Sequence, residues 1–365
     1  MKVSFPAMRG QMGGRTYYSC MMQLAVIPKM FTFRDWAEFR PEDREQRILN
    51  EKRVPQIAKY INDNEDGYLF ASITASYKCE VKFSPRSGSD ELGILEMEFD
   101  QANFVINDGQ HRCAAVAQAI KLNPALGEEQ ISVLLFPYES RERVQQMFSD
   151  LNRFVVKTSK SLNILFDKRD PLADVTLEVC ERVPVFKGLV EKDAVSLPIR
   201  SPKLFSLAAL YDANKELLKP LTQGGDYSHT NELVNMGVDY WSAVAKAIPE
   251  WGRVKNGDLK PLELRQESLS SHATVLRALG GLGAQLMQDD PKGWKARLLD
   301  LTSVDWSKKN KDWENVCIIA NSVVSNRQAR LAMKAYLKRR LGLALTETEA
   351  RALPVDANVE VQASV

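Results

Sequence analysis

A chain of 365 residues is long enough to bury two cores, and 44% hydrophobic with 26% charged content describes an ordinary globular protein rather than a disordered or fibrous one. No apolar run approaches the roughly 20 residues of a membrane span, and the opening Met1-Lys2-Val3-Ser4-Phe5-Pro6 lacks the apolar centre of a signal peptide, so no membrane association and a cytoplasmic location are expected. Five scattered cysteines without a CxxC pair, and only three histidines, argue against a metal or iron–sulfur centre; a net charge of +2 leaves partners to be read from local clusters.

Near the start, Arg9-Gly10 and Gly13-Gly14 read as flexible turns, followed by a strand over 16–26 carried by Tyr17, Tyr18, Met21 and Leu24. Pro41, with Glu42 and Asp43 behind it, suits the first turn of a helix running towards Arg53. Pro55 interrupts, and a second short helix carries Ile57, Ala58, Tyr60 and Ile61. After a loop over 62–67, strands are expected at 68–77, 79–83, 93–99 and 104–106, with 84–90 as an exposed connection.

The stretch 103–120 carries the most chemistry. Phe104, Val105 and Ile106 form a short buried strand, Asn107, Asp108 and Gly109 turn the chain, and a helix of small and apolar residues starts at His111. A helix N-terminus presents unpaired N–H groups and the positive end of the macrodipole. Gly109 lets a ligand approach the backbone, and Arg112 adds a fixed charge with bidentate donors. Asp108 can cap the helix or help hold Mg²⁺, and His111 can donate or accept a proton. The group points to an anion site for phosphate; the competing reading is ordinary turn-and-cap usage.

The five residues Asp108 to Arg112 spell DGQHR. This signature resembles that of the DGQHR-domain proteins, relatives of the ParB/sulfiredoxin fold, in which the same strand–turn–helix carries a phosphate or nucleotide site. The resemblance implies a phosphate- or nucleotide-binding set of Asp108, Gly109, Gln110, His111 and Arg112. Sulfiredoxin chemistry needs a cysteine between the Gly and the His; here that position is Gln110, and the nearest thiol, Cys113, lies beyond Arg112.

Downstream, 131–136 is a strongly apolar strand, and 141–151 a helix with Val144, Met147, Phe148 and Leu151 on one face. It ends in Asp150-Leu151-Asn152-Arg153-Phe154, which in the family lies beside the DGQHR turn, so Asn152 and Arg153 join the candidate site, with Lys157, Thr158, Ser159 and Lys160 following. A helix begins at Ser161. From about 170 helical patterns dominate, at 172–183, 203–218, 231–247, 269–288 and 294–301, with Pro249, Gly257 and other breakers as connectors. The expected architecture is α+β: a ParB/sulfiredoxin-like αβ domain over 1–168, a mainly helical domain over 169–345 packed on it, and a weakly ordered tail over 346–365. Most cysteines read as core residues, with Cys20 and Cys113 the candidates for a redox-sensitive thiol.

The last strong helix, 325–340, holds six basic residues and no acidic one. Arg327, Arg330, Lys334 and Lys338 fall on one stripe, and Ala329, Ala332, Met333 and Tyr336 on the other side. The stripe suits contact with the DNA backbone, or is simply a solvated face. No helix-turn-helix is evident.

Beyond DGQHR, Arg53-Val54-Pro55-Gln56-Ile57-Ala58-Lys59-Tyr60-Ile61, the 148–154 and 160–167 segments, and Ser325-Asn326-Arg327-Gln328 resemble the DndB family of DNA-sulfur-modification proteins over nearly the whole chain. The resemblance implies a DNA-binding negative transcriptional regulator of an operon for DNA phosphorothioation, the sulfur-for-oxygen modification associated with restriction and phage defence. It implies double-stranded DNA of its own promoter as partner, association with other phosphorothioation proteins, and a homo-oligomer. The expectation is a binding protein rather than an enzyme. The alternative is a nucleoside-triphosphatase of the modification or defence machinery, with nucleotide and Mg²⁺ held at Asp108, His111 and Arg112.

Overall fold

The computed structural model describes residues 2–31, 40, 49–98, 104–154, 158–194, 196–320 and 322–354. Two compact units run Met1–Val156 and Lys157–Val365. Lys160–Phe166 therefore belongs to the second unit, where the sequence reading ended the first domain at 168.

The first unit is a seven-stranded sheet with helices. Its strands are Lys2–Met12 (β1), Arg15–Gln23 (β2), Ile73–Tyr77 (β3), Val81–Arg86 (β4), Ser89–Glu98 (β5), Phe104–Asp108 (β6) and Gln130–Pro137 (β7), in the order β4-β5-β1-β2-β7-β3-β6. All neighbours are antiparallel except β3 and β7. Helices Ile27–Met30 (α1), Val54–Asp63 (α2), Gln110–Leu122 (α3) and Arg141–Arg153 (α4) accompany it. Alternation along β6 explains how both faces are used. Phe104 and Ile106 join the core with Ala115, Val116 and Ala119 of α3. Asn107, on the opposite face, accepts from Ser76 Oγ at 3.1 Å and reaches Met147 Sδ of α4 at 3.4 Å.

Several local expectations change. Gly13-Gly14 is the tip of the β1–β2 hairpin rather than a flexible loop, both residues having the positive φ a two-residue turn demands. The 84–90 connection is a hairpin joining β4 to β5. The strand expected over 68–77 shortens to β3, because the aromatic residues before it pack elsewhere: Phe70 lies 6.1 Å from Tyr60 of α2 and 5.6 Å from Tyr68, centroid to centroid. The helix expected over 41–53 lies largely outside the described residues; its end, Glu51–Arg53, is a 3₁₀ turn. On α4, Val144 and Met147 are buried but Leu151 is exposed.

The second unit is mainly helical. Its helices are Lys160–Phe166 (α5), Pro171–Arg182 (α6), Leu207–Leu218 (α7), Thr230–Ala247 (α8), Pro249–Asn256 (α9), Pro261–Glu267 (α10), Ala273–Asp289 (α11), Trp294–Leu298 (α12), Arg327–Arg340 (α13) and Glu347–Ala352 (α14). Two small pairings complete it: Val190–Glu191 (β8) with Phe205–Ser206 (β9), and Ile318–Ile319 (β10) with Ser322–Val323 (β11). Pro249 and Gly257, read from sequence as connectors, bracket α9, since proline fits a first helical turn and glycine a helix end. At its centre α7 and α11 cross at backbone contact: a Cβ on Gly280 would fall 2.1 Å from the carbonyl oxygen of Ala213. Trp241 Nε1 donates to Asn214 Oδ1 at 2.7 Å, and Asn214 Nδ2 to Thr176 Oγ1 at 3.3 Å, so buried polar atoms of α6, α7 and α8 satisfy one another.

The segment after 346, expected to be weakly ordered, begins with α14. Thr346 and Glu349 form a capping box, with Glu349 N–H to Thr346 Oγ1 at 3.2 Å and Thr346 N–H to Glu349 Oε2 at 2.9 Å. The same buried carboxylate accepts from Lys338 Nζ and lies 3.4 Å from Lys334 Nζ. Burial alone would raise the Glu349 pKa, but the Lys338 and Thr346 hydrogen bonds and the two lysine charges prevail and hold it below the ordinary value. A depressed carboxyl stabilises the fold fully above its unfolded value of about 4.3, and that contribution is lost as pH falls through the folded pKa. Glu349→Gln should therefore lose roughly 3 kcal/mol at pH 7, because Lys338 stays buried without its counter-charge. Thermal melting of the two proteins should converge as the pH falls through the lowered pKa of Glu349; a gap that persists below it would show that the ion pair is not its source.

Candidate phosphate-binding site

Strand β6 ends at Asp108, Gly109 adopts φ 104° and ψ 12°, and α3 starts at Gln110. A Cβ at Gly109 would meet Ile73 Cγ1 at 3.2 Å and Arg112 Nη2 at 3.4 Å, so dihedral and space both call for glycine. Gly109 at the N-cap has no side chain to cap α3, whose first turn is the positive end of a 13-residue helix.

Asp108 does not cap the helix as expected. Its Oδ2 pairs with Arg112 Nη2 at 2.5 Å. Arg112 Nη1 donates to the carbonyl oxygens of Ser72, at 3.0 Å, and Ala71. Arg112 thus ties α3 to the segment entering β3, and most of its donors are used inside the fold. His111 Nε2 accepts the N–H of Asn50 at 3.0 Å, which places the ring proton on Nδ1 in a neutral imidazole. Gln110 is only 7% exposed, and its Nε2 is buried with no hydrogen-bond partner. An unmade bond at a buried amide costs about 1–3 kcal/mol.

These residues open onto a cavity of about 450 Å³, within the range of roughly 300–1,000 Å³ typical of small-molecule sites. Asp108, Gly109, Gln110, His111, Arg112 and Asn152 all line it. Arg153 does not line it; its guanidinium sits 5.6 Å from the ring centre of Phe154. Asn152 turns its Nδ2 back to the Phe148 carbonyl, 2.8 Å away.

The opposite wall was missed. Arg53, Gln56, Ile57 and Tyr60 of the α2 region line the cavity with Phe70. Their spacing is that of one helix face (i, i+3, i+4, i+7), a signal present in the Arg53–Ile61 segment that had counted only as a family marker. Arg53 makes no side-chain hydrogen bond or ion pair with a described residue. The cavity therefore joins a cationic, donor-rich end to an apolar wall of Ile57, Tyr60, Phe70 and Phe148, which suits a phosphate attached to a flat apolar group.

Thiol chemistry does not enter. Burial pushes the thiols of Cys113, beneath the turn, and of Cys20 up to about 12, so both stay protonated near neutrality. Among the described residues no group of three His, Cys, Asp or Glu could hold a metal ion, and no helix is long and apolar enough to cross a membrane.

The basic stripe on α13 is partly used up. Arg327 is exposed and Arg330 half-buried, whereas Lys334 is paired with Glu349 and Lys338 is buried against it. Lys338 therefore leaves the set of residues able to meet DNA. The apolar side of α13 is as expected, with Ala329, Ala332, Met333 and Tyr336 buried.

Two substitutions test this geometry in the unliganded protein. Gly109→Ala should cost at least about 1–2 kcal/mol of stability, from a left-handed backbone bearing a side chain. Gln110→Met should raise stability by about 1 kcal/mol, because it removes the unsatisfied donor while keeping its volume. A fall in the denaturation midpoint of Gln110→Met would mean that the Nε2 already has a partner.

No curated protein and no solved structure matches the chain. One family does match, described as DNA-sulfur modification-associated, and it spans nearly everything laid out above: by that match over residues 5–344, the chain belongs to the DndB family.

Proposed function

We propose that this protein is a DNA-binding negative regulator of a DNA phosphorothioate-modification operon, and that the cavity at the DGQHR turn is its effector site for a phosphate-bearing ligand of the nucleotide class. Membership of a DNA-sulfur-modification family supports the setting. The observation that carries the effector reading is the division of labour around α3. The one carboxylate lining the cavity, Asp108, is held by Arg112, while the Gln110 side-chain amide is left without a partner among the described residues. Such a site holds an anion without the free base or metal-holding carboxylate that splitting a phosphoanhydride requires. DNA would be met through the phosphate backbone by surface cations, Arg327 and Arg330 among them, since those charges stay open on α13. The promoter of its own operon and other phosphorothioation proteins are the partners this reading names, in a homo-oligomer in the cytoplasm.

One observation favours a second reading, a nucleoside-triphosphatase of the same machinery. The Asp108 side chain is 43% exposed despite its ion pair, so a bound nucleotide and Mg²⁺ would have a carboxylate within reach. Arg112→Ala does not separate the readings, because that change also cuts the tie to Ala71 and Ser72.

The deciding experiment is fluorescence anisotropy of duplex from upstream of the operon against a scrambled duplex, with and without ATP or GTP, alongside phosphate release. A preference for the upstream duplex that survives physiological salt, shifted by nucleotide without hydrolysis and no longer shifted in Arg53→Gln, is the expected result. Equal binding of both duplexes removes the regulator. DNA-stimulated phosphate release replaces it with the triphosphatase.

A further inference from the structure

The second unit contains a charge cluster that the sequence reading did not assemble. At its base is Asp212 of α7, whose side chain is 13% exposed. Its Oδ1 accepts from Lys160 Nζ of α5, and its Oδ2 pairs with Arg277 Nη2 of α11. One carboxylate thus serves two cations, and the Nε of Arg277 is buried with no partner. Lys215 follows Asp212 by three positions on α7, on the same helix face, and is exposed. Helix α13, which packs on α11, carries Arg330 near enough to Arg277 for their charges to act on each other. Burial and then Arg330 lower the Arg277 pKa, while burial, Arg277 and Lys215 lower that of Lys160. Arg277 thus repels both Lys160 and Arg330, and Lys215 repels Lys160.

Among the described residues, Asp212 is the acid that forms ion pairs with these cations. Asp170 accepts from Tyr211 OH at 2.6 Å with one oxygen and caps α6 with the other, receiving the N–H groups of Leu172 and Ala173. Glu216 faces a separate cavity beside Lys219 and Lys334. Lys215 and Arg330 form no side-chain hydrogen bond or ion pair with any described residue. The fold holds like charges together at a cost, and that cost is recovered when a polyanion binds. Lys160 and Arg277, 53% and 26% exposed, bring the charge to the surface.

We propose that Lys160, Lys215, Arg277 and Arg330 form a binding patch for the DNA phosphodiester backbone at the junction of α5, α7, α11 and α13, with Asp212 as the positioning residue that holds Lys160 and Arg277. The proposal rests on the DNA-binding reading above and supplies a surface for it. Cations spread over several helices match the regular charge of a duplex, about one per 1.7 Å of axis, better than they match a single phosphate. Arg330 belongs both to this patch and to the α13 stripe; Lys338, on the stripe but buried against Glu349, is not part of the patch.

The test is the double variant Lys215→Gln/Arg330→Gln, chosen because neither side chain has a partner among the described residues. Lys82→Gln/Lys121→Gln removes the same charge from exposed positions of the first unit and serves as control. Binding of duplex DNA is followed by anisotropy across a salt series, with circular dichroism melting to check folding. The patch predicts a loss of roughly tenfold or more in affinity at physiological salt and a salt slope smaller by about 2, one unit per lost phosphate contact. The control should keep the wild-type slope. A double variant that binds as wild type, or a control that falls equally, overturns the patch while leaving DNA binding in place. A wild-type protein that binds no duplex overturns the regulator reading and the patch together.

Discussion

A single guanidinium shapes the first unit. Arg112 leaves α3 one residue after His111 and bonds to Asp108 at the end of β6 and to the carbonyls of Ala71 and Ser72 at the entry to β3. Strand, turn and helix are locked to the neighbouring strand by one charged group, in a setting where a hydrogen bond to a charged donor is worth about 1.5–3 kcal/mol. With Arg112 committed, Asp108 is committed too. Within the motif, the donor left for a ligand among the described residues is then the Gln110 side chain, at the positive end of α3. The chemistry of the cavity follows from that allocation more than from the identities of the five motif residues.

The cavity combines two kinds of surface. Polar groups from the turn meet a flat apolar wall from α2, Phe70 and Phe148. The aromatic residues before β3 serve this wall instead of extending the strand, which is why β-propensity there misleads. A ligand with a phosphate and a ring would satisfy both surfaces, while inorganic phosphate would use one.

The second unit shows two ways of placing a carboxylate among lysines and arginines. Glu349 is buried with Lys338 and receives Lys334 and the Thr346 amide, so the charges close on themselves and fasten α14 to α13. Asp212 also takes two cations, yet Lys215 and Arg330 stand beside them uncompensated. The first arrangement holds structure together. The second leaves net positive charge at the surface, which is the property a polyanion reads.

The sequence by itself determined the elements whose signals are local. Alternation and apolar runs marked β2, β6 and β7, glycine at 109 marked the strand–helix turn, and 3.6-residue periodicity marked α4, α6, α8 and the apolar side of α13. It also led to the family through DGQHR and its flanking segments. Turn chemistry was legible but underread, since Gly13-Gly14 and the Pro249–Gly257 bracket are signals of a hairpin and a helix. Tertiary structure alone decided what each charge faces. A linear reading assigns Arg112 to a phosphate and Lys338 to a DNA-facing stripe, because helical spacing says which residues share a face but not what that face meets. Asp108, Glu349 and Asp212 lie 4, 11 and 52 positions from the cations they engage, and only the first of these separations is visible to a helical period. Ion pairing depends on distance in space, and the fold sets that distance.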